Sequence, residues 1–287
     1  MNLAKANTPF DRGTCKLPFD SDKQLQAIVD RMADCQELVE CELQEYTNAN
    51  VSSGDGLQTD YKLSIVIPVF NELNTIIRVI TRVAALPLNT EIVVVDDFST
   101  DGTRDLLKRL DSVDGIRVIF QEQNQGKGAA LRTGFENCSG DYVVVQDADL
   151  EYDPRDIPRL LEPLLRGDAD VVYGSRFLGP EPQDESLVHR MGNAVLTGAS
   201  NLLSGLKLTD METCYKAFTL DVIDSIRIEQ DRFGIEPEIT AKLARRGFRF
   251  VEVPITYNSR GYDEGKKIGV KDLFNAIYCI GRYGVSD

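Results

Sequence analysis

From Lys62 onward, apolar residues come in short, nearly continuous runs. The runs at 63–68, 91–95, 116–120, 142–145 and 171–173 are rich in Val, Ile and Leu and are strand-length. That is the pattern of strands buried on both faces. Between them, residues 74–85, 103–110, 128–137 and 157–166 space their apolar positions as amphipathic helices do. Strands alternating with helices over short loops predict an α/β fold, a mostly parallel sheet flanked by helices. Downstream the pattern turns more helical, at 187–204 and 236–246, before a strand at 250–257 and a last helix at 270–283.

The first 60 residues follow a different pattern. Over 22–46, the positions of Leu25, Ile28, Val29, Met32, Leu38, Val39 and Leu43 predict one amphipathic helix, with Ser21 or Asp22 as its cap. Its expected role is docking, on the main domain or on a second copy of the chain. Residues 48–59, rich in Ser, Gly, Asn and Asp, read as a linker. The expected organisation is an extension over 1–60, a main domain over 61–257, and a basic loop with a C-terminal amphipathic helix over 258–287.

Charge changes the picture in two ways. The net charge of −14 over 287 residues argues against nucleic acid as a partner. Yet residues 242–271 carry eight Lys/Arg against three Asp/Glu, a net +5 and a candidate anion site. No apolar run approaches the ~20 residues that span a bilayer, and the start has no signal-peptide pattern. The six cysteines (Cys15, Cys35, Cys41, Cys138, Cys214 and Cys279) lack metal-type spacing. They read as reduced thiols, so the expected location is cytoplasmic.

Candidate chemistry gathers at strand ends, where open α/β sheets bind ligands. After the 142–145 strand comes Asp147-Ala148-Asp149-Leu150-Glu151. In extended backbone its three acids point one way, a set of hard oxygens suited to Mg²⁺ or Mn²⁺. Pro68 cannot continue a central strand, so the chain should turn there and present Phe70 and Glu72 to a base or ribose. Asp97, at the next strand mouth, can accept from a base N–H or a ribose hydroxyl, while Ser99 or Asp101 caps the following helix. Lys127, in Gly126-Lys127-Gly128 at a helix start, can hold phosphate, although the P-loop spacing is missing. The single histidine, His189, opens a helix.

In order and spacing these motifs resemble the family 2 glycosyltransferases, nucleotide-sugar enzymes of the GT-A fold. The likeness is greatest to the branch of dolichol-phosphate mannosyltransferases and polyprenyl-phosphate glycosyltransferases, and it runs from Leu63 to about Tyr283. The resemblance implies nucleoside contacts at Pro68, Phe70, Glu72, Val95 and Asp97. It implies metal and diphosphate contacts at Asp147, Ala148, Asp149 and Glu151, with Glu151 standing where that branch usually has Gln. Phe70 replaces the commoner tyrosine, and Cys214 stands where Asp210-Met211-Glu212-Thr213-Cys214-Tyr215-Lys216 would usually have glycine. Arg176 matches a phosphate-facing arginine, and Arg260 and Lys266 match a basic loop closing over the diphosphate.

The implied activity is inverting, metal-dependent transfer of a hexose, mannose or glucose, from a GDP- or UDP-sugar to a polyprenyl or dolichyl phosphate. Asp149, Arg176 and Asp210 are the expected catalytic residues. A phosphate acceptor is already an anion and needs no strong base. A hydroxyl acceptor would need one, with Asp210, Glu236 and Glu238 as candidates. The alternatives are such a soluble hydroxyl-directed transferase, or a non-catalytic binding module working through the N-terminal helix. The stripe of Leu273, Phe274, Ile277 and Ile280 has two readings, peripheral contact with a membrane or packing on the sheet.

Overall fold

The computed structural model describes Ile28 and residues 61–111, 113–179, 187–259 and 270–285. The strands are β1 (Leu63–Val69), β2 (Thr90–Asp96), β3 (Ile116–Phe120), β4 (Tyr142–Val145), β5 (Val171–Ser175), β6 (Lys216–Thr219) and β7 (Phe250–Pro254). The helices are α1 (Ile76–Ala84), α2 (Thr103–Leu110), α3 (Lys127–Phe135), α4 (Ile157–Leu165), α5 (Leu187–Ser204), α6 (Leu220–Asp224), α7 (Ile235–Arg245) and α8 (Val270–Val285).

The strands form one seven-stranded sheet in the order β3-β2-β1-β4-β6-β5-β7. Only β6 runs against its neighbours β4 and β5; the remaining pairs are parallel. The carboxyl ends of β1, β2, β4, β5 and β7 therefore share one edge, and the amino end of β6 joins them there. From β1 the chain steps outward to β2 and β3, then returns to β4 on the other side. That puts a topological switch point at the β1–β4 mouth.

The sheet centre is wholly apolar: Ile65, Val66 and Ile67 of β1, Val94 and Val95 of β2, and Val143 and Val144 of β4 have no exposed surface. Helix α1 lays Ile76, Val79, Ile80 and Val83 on this layer, as its amphipathic spacing predicts. Ile28 is helical and fully buried in the same core. The rest of the predicted 22–46 helix and of the 48–59 linker lies outside the described residues.

Two sequence expectations are corrected. Pro68 does not end β1; the strand runs on to Val69, with Pro68 opposite Val95. Strand β4 pairs only as far as Val66, so at Pro68 one side of β1 is already open and the missing N–H breaks no continuous ladder. Strand β6 was not expected at all. It is four residues long and begins with a lysine, yet Lys216 is buried, its ammonium bonded to the carbonyls of Met211 (2.9 Å) and Thr213.

Candidate active site

Three loops build the mouth, and each bends through a left-handed, non-glycine residue: Asn71 after β1, Phe98 after β2 and Leu150 after β4, with φ of 55°, 65° and 64°. Asparagine tolerates this conformation; phenylalanine and leucine hold it at a cost that surrounding structure must offset.

The first two loops are stitched together. Asn71 N–H donates to Ser99 Oγ (2.9 Å), and Thr100 N–H donates to Asn71 Oδ1 (2.8 Å). Asp101 caps α2 as expected, accepting from Thr103 N–H at 3.0 Å. Phe70, 47% exposed, and the neighbouring exposed Phe98 give this rim two aromatic faces. Beneath them Asp96, fully buried, pairs with Arg104 at 2.7 Å, and that guanidinium lies 5.1 Å from the Phe98 ring.

Asp97 faces α3. Its carboxylate oxygens accept from Gln125 N–H and Gly126 N–H, each at 2.7 Å. Burial pushes its carboxyl up, and the two amides oppose that shift. The α3 start is tightly seated: a Cβ on Gly128 would lie 2.1 Å from the Gln230 carbonyl oxygen, so no side chain fits there. Glu72 lies by α1, accepting from Thr75 Oγ1 at 2.7 Å, and Val95 is sealed within the sheet.

After β4 the chain does not stay extended, and residues 148–149 turn before Leu150. The acids take separate partners. Asp147 is held by Lys127 Nζ (3.0 Å), which also reaches Glu236 at 3.2 Å. Burial alone would lower the lysine's affinity for its proton, but Asp147, Cys214 and Glu236 hold it well above the ordinary value. Asp149 accepts from Glu151 N–H (3.2 Å). Glu151 Oε2 instead accepts from Tyr257 OH at 2.9 Å, and burial together with that carboxylate pushes the phenol up.

The β5 mouth carries Arg176. Its Nε and Nη2 donate to the two Asp210 oxygens, each at 2.7 Å, and its backbone N–H donates to Asp210 Oδ2 at 3.1 Å. Asp210 is completely buried. The guanidinium also lies 5.1 Å from the Tyr257 ring, so Tyr257 joins the arginine to the acidic turn.

The Glycosyl transferase family 2 profile matches residues 64–227, more than half of the chain. This protein is a family 2 glycosyltransferase. It is 33% identical over 232 residues to an undecaprenyl-phosphate mannosyltransferase of Micrococcus luteus, covering 77% of this chain and 93% of that protein. It is 31% identical to an undecaprenyl-phosphate 4-deoxy-4-formamido-L-arabinose transferase of Aeromonas hydrophila, covering 77% of this chain and 68% of that protein. It is 32% identical to the dolichol-phosphate mannosyltransferase of Pyrococcus furiosus, covering 77% of this chain but only 63% of that enzyme. The fold also matches glucosyl-3-phosphoglycerate synthase of Mycobacterium tuberculosis, crystallised with Mg²⁺ and uridine-diphosphate. There the TM-score is 0.64 at 22% identity, over 84% of this chain and 85% of that one.

Within this glycosyltransferase, Phe70, Asp97, Asp147, Ala148, Asp149 and Arg176 all lie on the strand-mouth edge, while Glu72 sits with α1 and Val95 below the surface. The three expected metal ligands do not gather: among the described residues no three acidic, His or Cys side chains cluster as a metal cage. The left-handed turn at Leu150 and the Tyr257 bond carry Glu151 aside. The donor set fits a hard cation held instead by one or two carboxylates and completed by ligand phosphates. Asp210 is buried and committed to Arg176. Glu238 is likewise committed, to Lys242 and to the amides of Glu229 and Gln230. Arg260, Lys266 and the His189 side chain lie outside the described residues.

Sequence reasoning gave Lys127 a phosphate role and Glu236 a conditional one, and the structure pairs the two at 3.2 Å. Both open helices, where backbone amides favour an acid such as Glu236 or an anion bound beside Lys127. Their meeting across 109 positions was not visible.

Proposed function

We propose that this glycosyltransferase moves a hexose from a UDP- or GDP-sugar to a polyprenyl phosphate. The carrying observation is that two of the three candidate bases are fully committed, Asp210 to Arg176 and Glu238 to Lys242 and two amides, while one oxygen of Glu236 meets Lys127. An acceptor that arrives as a phosphate anion needs no base, and Arg176 offers donors beyond the two that Asp210 takes. The names of the similar polyprenyl-phosphate enzymes support the same reading.

In this reading Phe70 stacks on the base and Asp97 holds the α3 start in place beneath the nucleoside. Asp149 and Asp147 would hold Mg²⁺ or Mn²⁺, with the diphosphate completing its shell. When bound, that cation supplies charge neutralisation for the departing group. Arg260 and Lys266, in the basic segment that follows β7 in sequence, add positive charge toward the diphosphate.

Contact with the membrane is supported by exposed apolar side chains on α5 and α8. Met191, Val195, Leu202, Phe274 and Ile277 are exposed there, Leu202 by 84% and Phe274 by 67%. Ile280 turns inward to the core, so it leaves the stripe expected from sequence. No helix of the described residues is long and apolar enough to cross a membrane. The test is calorimetric titration of the purified protein with UDP, GDP and their hexose derivatives, with Mg²⁺, Mn²⁺ or chelator. One nucleotide should bind in a metal-dependent way; no binding of either with metal present would refute the reading.

A further inference from the structure

The chain leaving β7 passes between the acidic turn and Arg176, and Tyr257 touches both. Its phenol O–H donates to Glu151 Oε2 (2.9 Å), and its ring lies 5.1 Å from the Arg176 guanidinium. Other contacts hold Tyr257 in place. Its backbone bridges antiparallel to Tyr152, Asn258 N–H donates to the Glu151 carbonyl (2.8 Å), and Thr256 N–H donates to Asp156 Oδ2 (2.6 Å). Its ring also packs 5.2 Å from that of Tyr152, which is buried and lies 4.9 Å from the buried Tyr215. The hydroxyl and the ring face toward Arg176 are therefore additions to an anchored residue.

Arg176 has a use for that face. Asp210 grips the Nε and Nη2 edge of the guanidinium and fixes its direction. A fork held along one edge can still tilt about that edge. The Tyr257 ring lies over the guanidinium and opposes the tilt, whereas the Phe177 ring is farther off, at 5.7 Å. The Glu151 carboxylate, accepting from the phenol, polarises the ring and strengthens its hold on the cation.

We propose that Tyr257 is the positioning residue that aims Arg176 at the acceptor phosphate and ties it to the acidic turn, so that acceptor and nucleotide-sugar meet at one fixed separation. The inference rests on the polyprenyl-phosphate reading above and adds the residue that sets the spacing. The ring serves the acceptor side through Arg176, and the hydroxyl serves the turn through Glu151, so substitution separates the two roles.

The test compares wild type, Tyr257→Phe and Tyr257→Leu as full chains, with a short-chain polyprenyl phosphate as acceptor. Melting temperature and calorimetric affinity for the bare nucleoside diphosphate, UDP or GDP as the wild type selects, are followed beside kcat and acceptor KM. Tyr257→Leu removes the ring and should raise acceptor KM roughly threefold to thirtyfold, the range of a partly desolvated cation–π contact. Tyr257→Phe keeps the ring, so KM should stay within about twofold of wild type while kcat falls about tenfold, because the tie that fixes the separation is lost. Both variants should bind the bare diphosphate as wild type does. A residue that only supports the fold would lower the melting temperature and leave the KM of the folded protein untouched. Unchanged acceptor KM in Tyr257→Leu, or unchanged kcat in Tyr257→Phe, would overturn the assignment. Should Tyr257→Leu fail to fold, the split between kcat and KM in Tyr257→Phe decides alone. A wild-type protein that transfers no sugar to polyprenyl phosphate would instead overturn the underlying reading.

Discussion

Removing the Asp210 carboxylate should damage both the fold and the site. Asp210 has no exposed surface and accepts three N–H bonds from Arg176, two from the guanidinium and one from the backbone. Breaking one side of such a pair leaves a buried charge without a counter-ion, which costs about 3–5 kcal/mol. The Arg176 side chain keeps 12% of its surface exposed and rests near the Tyr257 ring, so the low end of that range, about 3 kcal/mol, is expected for Asp210→Ala. For a protein of this size that is roughly a 6–12 °C drop in melting temperature. Asp210→Asn keeps an acceptor oxygen and should lose less. Replacing Arg176 and Asp210 together by leucines should be milder than Asp210→Ala alone, because no orphan charge remains. Scanning calorimetry with a urea midpoint for each variant measures this, and kcat/KM for transfer is followed in parallel. A folded Asp210→Ala protein with wild-type stability and turnover would refute both the energetic role of the pair and its role in aiming Arg176.

Three further outcomes follow from the same geometry. Asp149→Ala should abolish transfer and leave residual nucleotide-sugar binding that chelator no longer weakens; turnover still stimulated by metal would contradict the metal assignment. Arg260→Ala and Lys266→Ala should each lower kcat/KM at least tenfold with little change in melting temperature, as expected of residues that serve the diphosphate rather than the fold; the reverse pattern would give them a structural role. Burial pushes Glu91 up, but hydrogen bonds from Lys62, Ser64 and Ser139 win and hold it near about 2, below its ordinary 4.5. Its stabilisation is therefore present above pH 4.5 and lost as pH falls toward 2. The difference in urea midpoint between wild type and Glu91→Gln should be constant from pH 8 to 5 and shrink below that; a difference that grows on acidification would contradict the assignment.

The sheet was readable in the sequence because parallel strands buried on both faces are uninterrupted apolar runs, as in 65–67 and 92–95. Strand β6 escaped because a buried lysine opens it, and what makes Lys216 burial tolerable, two carbonyls from the preceding turn, exists only once the chain has folded. The acidic turn was readable as chemistry but not as geometry. Alternation along a strand predicts three acids converging, whereas a left-handed leucine, which no local residue preference announces, sends Glu151 to Tyr257. The Arg176–Asp210 and Lys127–Glu236 pairs span 34 and 109 positions, and a single sequence carries no signal of such pairings.

The most direct test of the account is the acceptor. Purified protein, the nucleotide-sugar that calorimetry selects and Mg²⁺ or Mn²⁺ are incubated with a short-chain polyprenyl phosphate or with the matching polyprenol, and labelled lipid product is counted. The account predicts glycosylated lipid from the phosphate and none from the alcohol, because a phosphate acceptor arrives as an anion and needs no base. Equal turnover of polyprenol, or transfer only to soluble hydroxyl acceptors, would contradict it.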